Sequence, residues 1–298
     1  MLGLELHLGL AQSGVVLATA LVAALISGAI GYGFSTLLVP VALLYLAPRV
    51  LNPGLVLAEI ALNLLGLWLN RRMLPRVFRR VLPMMLASIP GIVLGVWVLK
   101  VARADWLRFG TYIVLLPLVL LQAAGLRRPM RAGSPTELPL GFGIGVLYST
   151  TTISGPPLAL LFSNQGLAQD EFRASLALFR VVESVATAIA YLGLGLYSSE
   201  SLSVACLILP CIVLGVPLGR LLIGALDAEL FRRLCMALDA WLISFGLSRL
   251  MLAERVAIAR FSYVPLVAVV LLDAIILYRF LRARRLSAVS PATGTHAQ

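Results

Sequence analysis

Pro40-Val41-Ala42-Leu43-Leu44-Tyr45 recurs 117 residues later as Pro157-Leu158-Ala159-Leu160-Leu161-Phe162. Each copy follows a stretch too rich in Gly, Ser and Thr for an ordinary membrane helix. The first is Ser27-Gly28-Ala29-Ile30-Gly31-Tyr32-Gly33-Phe34-Ser35-Thr36, and the second is Gly145-Val146-Leu147-Tyr148-Ser149-Thr150-Thr151-Thr152-Ile153-Ser154-Gly155-Pro156. Interrupted apolar segments at matching places in two halves point to the solute site of a membrane transporter.

The composition supports a bilayer setting. Of 298 residues 60% are hydrophobic and 12% charged, against about a quarter charged in a soluble domain. The net charge of +11 does not point to nucleic acid, because the arginines cluster between apolar runs, where they set membrane orientation. Cys206, Cys211 and Cys235 match no metal or redox spacing. His7 and His296 are the only histidines, and no hydrolase or phosphate-loop signature occurs. We therefore expect no catalytic residues, metal or cofactor, and no enzyme. Met1 to Ser13 lacks the basic region of a cleaved signal.

Apolar runs cover about 14–47, 52–70, 81–99, 106–124, 137–166, 174–196, 201–219, 234–252 and 261–281. A crossing needs about 20 residues, so 14–47 and 137–166 are too long for one helix. Each is expected to be a broken, partly re-entrant hairpin. Placing the Arg71–Arg80 segment in the cytoplasm puts 16 basic residues inside and seven outside, with Arg180 alone in a span. The two hairpins then face opposite ways, each followed by three crossings. Leu82-Pro83 and Pro90 are echoed by Leu209-Pro210 and Pro217 with the same spacing.

The expected fold is an all-α polytopic membrane protein of two inverted-topology repeats, 1–125 and 137–253. They are joined by a cytoplasmic loop at 126–136 and followed by a final transmembrane helix at 254–285 and a disordered tail at 286–298. The expected location is a bacterial inner (plasma) membrane, with the N-terminus outside and the C-terminus cytoplasmic.

A helix that restarts inside the bilayer has N–H groups without intrahelical partners and carries the positive end of its dipole. That suits an anion. The expected solute-binding residues are Gly31, Gly33, Ser35, Thr36, Thr151, Thr152, Ser154, Gly155 and Arg180. Arg180 serves either as fixed positive charge for the anion or as half of a buried ion pair. Glu59 and Glu183 are read either as proton-coupling groups or as its structural partners. At the 117-residue offset Arg180 corresponds to Asn63. The breaks also admit a plainer reading, in which their glycines only let helices pack closely. Asp239 and Asp273 are expected in packing or helix–helix hydrogen bonds, outside the repeated core. Trp68, Trp97, Trp106 and Trp241 are expected in aromatic belts.

The Gly-rich break with its Pro and apolar run, then Gly155-Pro156-Pro157 and Phe172-Arg173-Ala174, resembles the sulfite exporter TauE/SafE family from about Ala24 to Ala253. The resemblance implies a multi-pass permease for sulfur-containing or organic anions such as sulfite, sulfoacetate or thiosulfate, driven by an ion gradient. Arg173 matches the family's Phe-Arg-Ala segment and ranks below Arg180 as a ligand, since near a helix start it also suits a loop anchor. The expected partners are lipid, a small anionic solute and a coupling proton or ion; a homo-oligomer stays open. Transport of a cation or neutral solute is the alternative, and a membrane enzyme is a more distant one.

Overall fold

The computed structural model describes residues 9–124, 136–222, 228–253 and 261–289. The first eight residues, most of the 126–136 loop, the 254–260 link and the end of the tail lie outside the described residues. So do Arg127, Arg128, Arg131, His7 and His296.

Eleven α-helices run in chain order: α1 Leu10–Ile30, α2 Phe34–Ala42, α3 Pro48–Leu69, α4 Leu74–Val101, α5 Ala104–Ala123, α6 Glu137–Thr151, α7 Gly155–Asn164, α8 Gln169–Gly193, α9 Ser199–Leu222, α10 Ala228–Ala253 and α11 Val264–Val289. Among the described residues there is no strand. Among the described residues seven helical stretches are long and apolar enough to cross a membrane. Large apolar side chains such as Val93, Trp97, Ile189, Val213, Leu214 and Leu221 are exposed. An aqueous surface rarely tolerates so much contiguous apolar area, whereas lipid accepts it. The four tryptophans are exposed as well.

Both over-long runs are interrupted. The first splits into α1 and α2 around Gly31-Tyr32-Gly33, the second into α6 and α7 around Thr152-Ile153-Ser154. Arginines that the sequence reading assigns to a loop fall partly on helix. A short 3-10 turn covers Arg71–Met73, and α4 begins at Leu74, so Arg76, Arg79 and Arg80 ride its first turns. Arg is a good helix former whose stem can lie along apolar surface. At the other end α11 continues to Val289, into the stretch read as a tail from Leu286.

The helix contacts are reciprocal. α1 packs on α9 and α6 on α4; α3 packs on α9 and α8 on α4; α2 touches α10 and α7 touches α5; α3 meets α8, and α5 meets α10. Exchanging the first five helices with the next five leaves these pairings unchanged. The two largest interfaces use glycine in the same way. A Cβ on Gly28 or Gly219 would strike the backbone of Val216 or Leu25 across α1/α9, and one on Gly91 or Gly145 would strike that of Phe142 or Ser88 across α4/α6. These glycines serve close packing. Gly31 and Gly33 do different work at the break itself.

Two side-chain contacts recur at a second offset. Arg173 donates to the Ala29 carbonyl at 2.9 Å, and Asn52 donates to the Thr150 carbonyl at 2.5 Å. Both the donors and the acceptors stand 121 residues apart, as do the helix restarts at Phe34 and Gly155. Gly28 and Gly145, which meet the facing backbone alike, stand 117 apart, so the two offsets differ by four residues, about one helical turn. A slip of one turn keeps the same helix face, so apolar patterning cannot detect it. At the 121-residue offset Arg180 corresponds to Glu59, and at 117 to Asn63.

Candidate functional site

The first break is set by glycine. Gly31 ends α1 with φ 98° and donates its N–H to Ser27 at 2.7 Å. Gly33 starts α2 with φ 103°, a conformation that costs glycine little and a side chain more. The second break makes the same turn without glycine: Thr152 sits at φ 59°. A β-branched residue in the left-handed region is a strained one. Its N–H bonds the Tyr148 carbonyl at 2.6 Å, and its hydroxyl bonds the Thr151 carbonyl at 2.6 Å.

The breaks lie against each other. A Cβ on Gly155 would stand 3.5 Å from the Tyr32 ring and 3.8 Å from the Gly33 nitrogen. Tyr32 in turn meets Phe172 edge-to-face at 6.3 Å.

Beside this junction is a buried polar cluster. Arg180 on α8 and Glu59 on α3 pair at 2.9 Å, with 3% and 0% of their side chains exposed. Tyr148 on α6 donates to the other Glu59 oxygen at 2.7 Å, and Ser35, in the first turn of α2, donates to the oxygen that Arg180 holds. Glu183, one turn beyond Arg180 and fully buried, accepts from Ser154 at 2.6 Å. Its Oε1 and the Arg180 Nε are buried without a partner. Asn63 donates to the Arg180 carbonyl at 3.3 Å.

Two protein carboxylates therefore occupy the starts of the two short helices, Glu59 through Ser35 and Glu183 through Ser154. A carboxylate is what an N-terminal dipole favours. The two starts are unequal. Phe34, Ser35 and Thr36 precede the first intrahelical bond of α2, made by Leu37 to Gly33. In α7 the same turn is Gly155-Pro156-Pro157, and proline has no N–H, so Gly155 alone offers one.

The expected hydroxyls divide. Ser35 and Ser154 point into the cluster. Thr36 bonds the Gly33 carbonyl at 2.9 Å, and Thr151 bonds Leu147 at 2.7 Å while accepting the Ile153 N–H. Ser149 and Thr150 likewise return to carbonyls one turn earlier on α6. The run Ser149–Thr152 thus satisfies the end of a broken helix and does not present a row of free donors. Asp239 interacts with Thr36 and so sits against the first break. Asp273 bonds Trp241, linking α11 to α10.

The sequence reading passes over Tyr148, although it lies within the quoted second break. It also passes over Asn52, which holds the end of α6 as Arg173 holds the end of α1. Tyr148 and Tyr191 belong to an apolar layer with Val56, Ile92, Val96, Leu99 and Leu107, and Tyr191 donates to the Ser149 carbonyl at 2.6 Å. Among the described residues no group of three or more His, Cys, Asp or Glu could hold a metal ion.

The family model described as "Sulfite exporter TauE/SafE" matches residues 16–245, which contain both breaks and the whole polar cluster. No curated protein and no solved structure matches the chain.

Proposed function

The chain belongs to the sulfite exporter TauE/SafE family of multi-pass membrane transporters, and we propose that it is a secondary transporter of a small anion. The solute class is a sulfur oxyanion or organosulfonate, taken up between the starts of α2 and α7 with Arg180 as its fixed positive charge. The meeting of the two breaks at the Glu59–Arg180–Glu183 cluster carries this reading. The anion replaces Glu59 on Arg180 while Ser35 and Tyr148 keep the displaced carboxylate hydrogen-bonded.

Charge balance calls for a companion ion. Two carboxylates facing one guanidinium leave the cluster negative when both are ionised, and a second anion is then repelled. A proton on Glu183 removes that obstacle. Glu183 suits the task because among the described residues only Ser154 bonds it, whereas Glu59 is held by Arg180, Tyr148 and Ser35. Arg180 from its own helix, Glu59 from α3 and Tyr148 from α6 are the charged and titratable groups that face Glu183. The same negative balance, with the single free N–H of α7, favours the second reading, transport of a cation.

The reciprocal packing and the 121-residue offset support two inverted repeats, 1–125 and 137–253, followed by an extra helix. We place the protein in a bacterial inner membrane with the arginine-rich ends of α3 and α4 in the cytoplasm.

Purified protein in proteoliposomes, assayed with sulfite, sulfoacetate, thiosulfate and simple carboxylates beside sodium, potassium and neutral solutes, tests the proposal. Saturable flux of an anion, steeper under a pH gradient, is expected. Flux confined to cations or neutral solutes rejects the anion reading.

A further inference from the structure

Arg180 faces two surroundings. On one side is Glu59; on the other it lines a cavity of about 50 Å³ beneath the first break. Arg173 and Arg220 line the same cavity, with Ser27, Asn63 and Asn70. No carboxylate is among the described lining residues. Three guanidinium groups from two helices thus converge on a space that also reaches Gly31 at the end of α1. The Arg180 Nε is buried and has no partner. Arg220 is exposed, and Asn70 adjoins the Arg71–Met73 turn.

We propose that this cavity is the loading site through which a compact oxyanion reaches Arg180, with Arg220 and Arg173 as its first ligands. The inference rests on the anion-transport reading above and names the residues that admit the solute. Three reasons support it. Planar guanidinium groups match the paired oxygens of an oxyanion, and a convergent set of one sign concentrates such ions at its mouth. Arg173 keeps one nitrogen on the Ala29 carbonyl, so its guanidinium is held in place at the cavity wall. The space, about 50 Å³, admits a few waters or the charged head of a compact oxyanion.

The residue equivalent to Arg173 is Asn52, bonded to Thr150. That position thus carries an amide in place of a guanidinium.

The cavity could instead hold the phosphate of an anionic lipid, since the chemistry is shared. Tracer sulfite flux into proteoliposomes separates the two, measured for the native chain, Arg220→Gln, Arg220→Lys and Arg173→Gln. Arg220 is the primary variant because it is exposed, whereas Arg173 is tied to the Ala29 carbonyl. Arg220→Gln is expected to raise KM about fivefold, as loss of one exposed charge contact does, with the saturated rate nearly unchanged and a flatter salt dependence. Arg220→Lys is expected to recover part of the affinity. Native KM and salt dependence in Arg220→Gln, alongside normal sulfite flux in the unaltered chain, overturns the loading site and leaves the transporter standing. An effect present only in vesicles containing phosphatidylglycerol, and absent in purely zwitterionic ones, assigns the cavity to lipid and also overturns it. Absence of any anion flux in the native chain overturns the transporter reading itself.

Discussion

Removing the Arg180 guanidinium by Arg180→Gln leaves Glu59 in a site where none of its side chain is exposed. Breaking a buried pair by deleting one partner costs about 3–5 kcal/mol. Glu59 retains Ser35 and Tyr148 as donors, which places the loss near the lower limit, about 3 kcal/mol. For a chain of 298 residues that is a fall in Tm of roughly 5 °C. The double variant Glu59→Gln/Arg180→Gln removes both charges and keeps amides of similar shape. Neutral replacement of a whole buried pair is often without cost, so most of the lost Tm should return. Intrinsic tryptophan fluorescence during heating in detergent reads the stability, and proteoliposome flux reads the function. The two roles of Arg180 separate in the double variant. If Arg180 holds the anion, the double variant folds and does not transport. If the pair is only a clamp between α3 and α8, restoring stability restores flux. Native anion flux in a stably folded double variant therefore refutes the assignment of Arg180 as a ligand.

Glu183→Gln, a mimic of the protonated state, should keep downhill anion flux and lose accumulation driven by a pH gradient; native accumulation in this variant removes Glu183 from the coupling step. Thr152→Gly should relieve the φ of 59° and raise stability by about 1 kcal/mol in a thermal scan, and a loss of stability would show that the Thr152 side chain contributes more than its backbone costs. Gly145→Leu pushes a side chain into the Ser88 backbone and should abolish folded monodisperse protein on size-exclusion chromatography, whereas the same change at Gly143, where nothing lies within 4 Å, should be tolerated. Reporter fusions at Leu126 and Ser199 should report opposite sides of the membrane, and the same side for both would remove the inverted arrangement.

What the sequence determined by itself is the class of the protein and the place of its discontinuities. Long apolar runs have no stable home in water, so composition alone requires a bilayer. A run of about 30 residues broken by Gly31-Tyr32-Gly33 or Thr152-Ile153-Ser154 cannot be one crossing, because unpaired backbone groups are not tolerated in lipid. Arg180, Glu59 and Glu183 stood out for the same reason, as charges in apolar surroundings. Partnership was decided by tertiary structure. Glu59 is 121 residues from Arg180, and nothing local in either helix says that they bond. Only the packing of α3 against α8 brought the two side chains together. Tyr148 and Ser154 joined the cluster for the same reason, since direction around a helix axis depends on which neighbour it meets. The three-arginine cavity likewise required Arg220, a helix-end charge like many others in the chain until α9 folded against α1 and brought it beside Arg173.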